Sequence, residues 1–179
     1  TDVAAGSWYF DAVMDISDKG LMNGTGDGSA FSPNMTLTRG MAATVLYRMS
    51  GETTGVAAEA GTTFSDVSAG QWYAEAVDWA ADNGIVTGYN GKFNPNANIT
   101  RQDMVTMLYR YAQYKQDDVS QTNDLAAFTD KDSIASYALD SMKWAVGEGI
   151  LTGRTTETLV PKANLNRAEF ATMVSRYLA

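Results

Sequence analysis

The sequence predicts a mostly α-helical domain made of three tandem helix–loop–helix units, and two observations carry that reading. The first is internal repetition. Gly20-Leu21, Gly84-Ile85 and Gly149-Ile150 each follow an aromatic residue (Trp8, Trp72, Tyr137) by 12 positions, and each is followed four positions on by a second glycine (Gly24, Gly88, Gly153). Then come Phe31-Ser32-Pro33, Phe93-Asn94-Pro95 and Leu159-Val160-Pro161, and five residues past each proline stand Thr38-Arg39, Thr100-Arg101 and Asn166-Arg167. The aromatic recurs after 64 and then 65 residues, and order-preserving recurrence at a fixed period marks a repeat architecture. The second observation is apolar spacing of helical period on both sides of each loop.

Copy two shows each element most clearly. Trp72 and Tyr73 open a segment with Ala76, Val77, Ala80 and Ala81 on one helical face. Asn83-Gly84 ends it, with glycine suited to the left-handed position after the helix and Ile85 folding back on the last turn. Gly88 and Tyr89-Asn90-Gly91 make a turn, and Phe93 returns to the core before Pro95. The second helix begins at Thr100 and carries an apolar stripe through Met104, Val105, Met107, Leu108 and Tyr111. Copy one repeats the pattern with Met41, Val45 and Leu46, and copy three with Phe170, Met173 and Val174. The copies are read as residues 1–50, 62–112 and 126–179 of one composite domain. Small, polar and charged stretches at 51–61 and 113–125 read as linkers, the first the more mobile.

Composition narrows the function. The chain has 179 residues, 45% of them hydrophobic, with four Trp, nine Tyr and six Phe, which suffices for a core. Without His or Cys there is no disulfide, no thiolate or imidazole metal site and no His-based acid–base or nucleophile system. Thirteen basic against 21 acidic residues leave a net charge of −8, which opposes nucleic-acid binding. No apolar run approaches the roughly 20 residues of a membrane span. The start at Thr1-Asp2-Val3 reads as a piece of a longer or processed chain, and an acidic, Cys-free module suits the outside of a bacterium.

The start of each second helix carries the most chemistry. Thr38, Thr100 and Asn166 are suited to cap it, and Asp103 and Glu169 stand at the third helical position, where a capping box places an acid; Met41 replaces that acid in copy one. Arg39, Arg101 and Arg167 follow the caps directly, where a cation meets the positive end of the helix dipole at a cost of roughly 0.3–1 kcal/mol. Two explanations stay open. One is an intramolecular partner such as Asp2, Asp66 or Asp130; the other is an external anion held by guanidinium and unpaired helix N–H groups. Trp8, Trp72 and Tyr137 are likewise open between core packing and a stacking platform for a sugar ring. The loop at 23–28 offers Asp27 as its one carboxylate, too little for calcium. No repeated landmark supplies a nucleophile or an aligned carboxylate pair, so no catalytic residue, cofactor or metal is assigned.

Phe64-Ser65-Asp66-Val67, Trp72-Tyr73-Ala74, Gly84-Ile85-Val86-Thr87-Gly88, Phe93-x-Pro95 and Ile99-Thr100-Arg101-Gln102-Asp103 closely resemble the S-layer homology domain, in three tandem copies covering nearly the whole chain. The resemblance implies a pseudo-threefold, mostly helical spindle around a central helical bundle, with grooves between neighbouring copies. It implies an extracellular module, in the cell wall or S-layer, that anchors a surface protein non-covalently. The implied partner is secondary cell wall polysaccharide attached to peptidoglycan, often through ketal-pyruvylated N-acetylmannosamine, whose carboxylate would answer the arginine. Ligand-binding residues expected on this basis are Arg39, Arg101, Arg167, Trp8, Trp72, Asp66, Thr100, Gly24 and Gly88, in a monomer when isolated. The competing function is a structural module packing an S-layer lattice or a protein partner, with the arginines paired internally. Copy two keeps Asp66, Trp72, Thr100 and Asp103, so Arg101 is expected to matter more than Arg167. If Arg101 serves an external anion, truncating it without ligand should cost under about 1.5 kcal/mol, the size of one ordinary hydrogen bond.

Overall fold

The computed structural model describes residues 2–52 and 63–179, and its elements follow the repeated landmarks. Thr38, Thr100 and Asn166 have extended backbones, and each side chain accepts from the N–H of the third helical residue. They start α2 (Arg39–Ser50), α4 (Arg101–Tyr114) and α6 (Arg167–Tyr177). The first helix of each copy is α1 (Phe10–Asp18), α3 (Ala74–Asp82) or α5 (Leu139–Gly147). Gly20, Gly84 and Gly149 follow these helices at φ of 69°, 69° and 72°. Leu21 and Ile85 donate back to Ile16 and Ala80, five residues earlier, as a Schellman stop requires. Pairing of extended backbone is confined, among the described residues, to isolated bridges. The fold is all-α.

The helix–loop–helix unit of the sequence is not the packing unit. α3 packs on α2, α5 on α4, and α1 on α6, so each first helix lies against the second helix of the preceding copy, and copy one closes on copy three. Tyr47 ties α2 to α3, with its hydroxyl on Glu75 at 2.7 Å and its ring 5.4 Å from that of Trp79. Thr106 meets Ser141 at 3.0 Å across α4 and α5, and Ser175 donates to Asp15 at 3.1 Å across α6 and α1.

The three copies meet at the residues just before the caps. Leu37 donates its N–H to the Leu165 carbonyl at 2.9 Å, Leu165 to Ile99 at 3.0 Å, and Ile99 to Leu37 at 3.0 Å. All three side chains are fully buried. The next N–H groups, which a helix start leaves without an internal acceptor, also cross between copies. Arg39 and Gly40 donate to Ala97 and Pro95 of copy two, Arg101 and Gln102 to Ala163 and Pro161 of copy three, and Arg167 and Ala168 to Met35 and Pro33 of copy one.

Of the stretch read as the first linker, residues 53–61 lie outside the described residues; Gly51 and Glu52, which precede them, end α2 and accept the Trp79 indole N–H. The stretch read as the second linker begins inside α4 and then follows copy three. There Asn123 donates to the Lys143 carbonyl at 3.0 Å, and Leu125 is buried.

Copy two cut out as residues 62–112 would lose both α2 and α5, on which its helices pack. We expect no cooperative thermal transition from that fragment by circular dichroism, whereas the full chain unfolds in one step. A fragment as stable as the full chain would show that the copies fold independently.

Candidate functional site

The arginine after each cap reaches into the next copy. Arg39 Nε donates to the Phe93 carbonyl at 2.8 Å, Arg101 Nε to Leu159 at 2.8 Å, and Arg167 Nε to Phe31 at 2.7 Å. The guanidinium carbons of Arg39 and Arg167 also lie 4.7 and 4.6 Å from the ring centres of Phe93 and Phe31. Arg101 adds Nη2 to the Thr152 carbonyl at 2.8 Å and Nη1 to Glu169 at 3.4 Å, and Arg167 adds Nη2 to Asn23 at 2.7 Å. Burial pushes all three guanidinium groups below the ordinary arginine value, while Glu169 works the other way on Arg101.

The aspartates proposed as ion-pair partners do something else. Asp66 accepts the N–H groups of Phe93 and Asn94 at 2.8 and 2.7 Å, Asp2 those of Phe31 and Ser32, and Asp130 those of Leu159 and Val160. Asn94, Ser32 and Val160 sit at φ of 57°, 57° and 50°, so each carboxylate holds an unfavourable turn whose preceding carbonyl receives the arginine. For Asp66, desolvation pushes its pKa up, but those backbone N–H groups outweigh it and leave it lowered.

Among the described residues these contacts leave three grooves, each assembled from three copies. The first, about 520 Å³, is lined by Arg39 from copy one, the 86–94 loop and α4 of copy two, and Tyr137 from copy three. The second, about 340 Å³, takes Arg101 from copy two, the 150–154 loop and α6 of copy three, and Trp8 from copy one. The third, about 530 Å³, takes Arg167 from copy three, the 22–26 loop and α2 of copy one, and Trp72 from copy two. The aromatics stand two residues before their helices and are largely exposed: Trp8 66%, Trp72 60% and Tyr137 57%. Trp8 and Trp72 are braced edge-on by Tyr9 and Tyr73. Tyr137 is fixed instead by its hydroxyl, which donates to Asp103; its phenol is pushed up to about 12 by desolvation and then by that carboxylate.

Several expectations change. Arg101 and Trp72, grouped together from sequence, belong to different grooves: Trp72 faces Arg167, Trp8 faces Arg101, and Tyr137 faces Arg39. The helix N–H groups expected to help hold an anion are already taken by the neighbouring copy and the caps. Thr100 caps α4 and, like Asp66, lines none of the three grooves; Gly24 and Gly88 do line them. Gly88, at φ of 62°, has no room for a Cβ, which would strike the Phe64 ring.

A second set of arginines was missed. Arg48, Arg110 and Arg176 each stand nine residues after the cap-following arginine and line the same grooves. Each donates to the carbonyl after the first helix's glycine stop, Leu21, Ile85 or Ile150. Their identical spacing was the available signal. All seven arginines of the chain therefore line the grooves, joined by Lys92, against two groove carboxylates, Asp103 and Glu169. Each groove carries an excess of two positive charges in a chain of net charge −8.

Comparison with known proteins finds one family in three tandem matches. The S-layer homology domain matches residues 1–43, 63–105 and 127–171. Over 99% of its length the chain is 31% identical to an endoglucanase of Bacillus sp. (strain KSM-635), of which it covers 18%. It is 28% identical, over 84% of its length, to a cellulosome-anchoring protein of Acetivibrio thermocellus, covering 34% of that protein. It is also 28% identical, over 98% of its length, to the S-layer protein sap of Bacillus anthracis, covering 20% of it. The chain thus spans between 18% and 34% of the length of these relatives.

With its guanidinium buried and bonded to two carbonyls and a carboxylate, Arg101 is more costly to remove than the sequence suggests. Each hydrogen bond of a charged group contributes about 1.5–3 kcal/mol, so Arg101→Ala is expected to lose about 3 kcal/mol or more in urea unfolding without ligand. Arg39→Ala, which gives up one such bond, should lose about half as much. Equally small losses in both would mean that the inter-copy carbonyl contacts contribute little.

Proposed function

The chain belongs to the S-layer homology domain family, in three tandem copies, and from that membership we propose that it anchors a longer surface protein to the bacterial cell wall by binding secondary cell wall polysaccharide in its inter-copy grooves. The observation that carries this reading is the placement of every arginine in a groove beside an exposed aromatic, in a protein that is otherwise acidic. The apolar face of a pyranose stacks on the aromatic, and an acidic substituent such as a pyruvyl ketal meets the guanidinium as a charge-assisted hydrogen bond. The net negative charge repels an anionic polymer only weakly beyond the Debye length of about 8 Å, so capture depends on the local field inside the groove. The names of relatives fit both free-standing surface proteins and enzymes, and this chain covers less than a fifth of the endoglucanase. We therefore assign it the role of attachment, with catalysis left to other parts of such proteins.

The alternative, a module that packs against protein, draws on the inward bonding of the arginines but leaves three exposed aromatics at groove mouths without a role. Co-sedimentation separates the two readings. Binding to native cell walls should fall at least about ten-fold, about 1.4 kcal/mol, on walls stripped of secondary polymer, and by a similar factor on native walls for a Trp72→Ala Tyr137→Ala double variant. Equal binding to both wall preparations would overturn the polysaccharide reading.

A further inference from the structure

We propose that the three grooves are of two kinds: the Arg39 and Arg167 grooves are open acidic-sugar sites, and the Arg101 groove is held shut by the chain's own Glu169 carboxylate. This rests on the polysaccharide reading and adds which grooves serve it.

The difference lies at the third residue of each second helix. In α6 it is Glu169, whose Oε1 lies 3.4 Å from Arg101 Nη1 and 3.0 Å from Arg154 Nε. Its Oε2 accepts from Arg154 Nη2 at 3.2 Å and from the Asn166 N–H at 3.1 Å. Both carboxylate oxygens are thus engaged, and they occupy the place where an incoming carboxylate would meet the arginine. In α2 the same position is Met41, which carries no charge. In α4 it is Asp103, one methylene shorter, which accepts from the Tyr137 hydroxyl and makes no hydrogen bond to Arg39.

The guanidinium groups follow suit. Arg101 uses all three nitrogens on Leu159, Thr152 and Glu169. Arg167 uses Nε and Nη2 on Phe31 and Asn23, and Nη1 has no acceptor among the described residues. Arg39 uses Nε alone, leaving both amino nitrogens without one. Arg39 therefore still offers the two-pronged edge that a carboxylate matches, whereas on Arg101 a carboxylate, that of Glu169, already stands at Nη1. A ligand entering the Arg101 groove must displace a carboxylate tethered to the adjoining α6, whose effective concentration is far above that of any free saccharide. That groove is also the smallest of the three, about 340 Å³ against about 520 and 530 Å³.

Isothermal titration with a ketal-pyruvylated N-acetylmannosamine glycoside tests the division. The full chain is expected to bind two molecules, and Glu169→Gln, which keeps an acceptor for the Asn166 N–H while giving up the charge, is expected to bind three. Trp8→Ala should leave the count at two, and Trp72→Ala should lower it to one. Because both indoles are mostly exposed, those two variants decide the matter even if Glu169→Gln does not fold. Three equal sites in the unaltered chain, or loss of a site in Trp8→Ala, would overturn the proposal while leaving the polysaccharide reading intact. No binding of the glycoside by any variant would overturn that reading and this inference with it.

Discussion

Three backbone hydrogen bonds, Leu37 to Leu165, Leu165 to Ile99 and Ile99 to Leu37, close on themselves and fix everything around them. Each bond joins equivalent residues of two different copies, so the ring closes only when all three copies are present. Buried backbone groups that lack partners cost as much as a lost hydrogen bond, and this ring lies in full burial. Once it is closed, the starts of α2, α4 and α6 point at loops of the neighbouring copies, and their first N–H groups find carbonyls there.

The same geometry resolves the oddity of a cation at the positive end of a helix. The arginine is not serving its own helix. It extends past the helix start to a carbonyl of the next copy, at a turn that the aspartate of that copy holds in a left-handed conformation. One peptide segment is therefore gripped by a carboxylate on its N–H side and a guanidinium on its C=O side, and the groove opens beside this joint. In the proposed role, structural bonding and ligand recognition are not alternatives. Fixing Nε on a carbonyl leaves the amino nitrogens of Arg39 presented in one orientation, which on the proposed reading lowers the entropy lost when an anion binds.

Local grammar was legible in the sequence because it follows from single-residue chemistry. Gly20, Gly84 and Gly149 adopt the left-handed backbone that a helix stop needs, and Thr38, Thr100 and Asn166 cap as their side-chain oxygens allow. Glu169 completes its capping box, whereas Asp103 turns to Tyr137, a partner 34 residues away that no spacing rule reveals. What could not be read was the offset between copies. A repeat shows what each unit contains but not whose neighbour it touches, so α3 was grouped with α4 although it packs on α2, and Trp72 was grouped with Arg101 although it faces Arg167. The arginines at 48, 110 and 176 were hidden differently: surface cations near a helix end are ordinary, and only their common spacing of nine sets them apart.

The closure of α1 on α6 has a consequence for how molecules meet one another. The contacts of α3 on α2 and of α5 on α4 join stretches that are continuous in the chain, but α1 and α6 belong to opposite ends of it. That joint alone has no covalent strand bridging consecutive copies. Parting it exposes two faces that fit each other equally well on one molecule or on two, the condition for exchange of identical elements between protomers. The seam between α1 and α6 is therefore the place where a set of three copies could be completed within one molecule or across two.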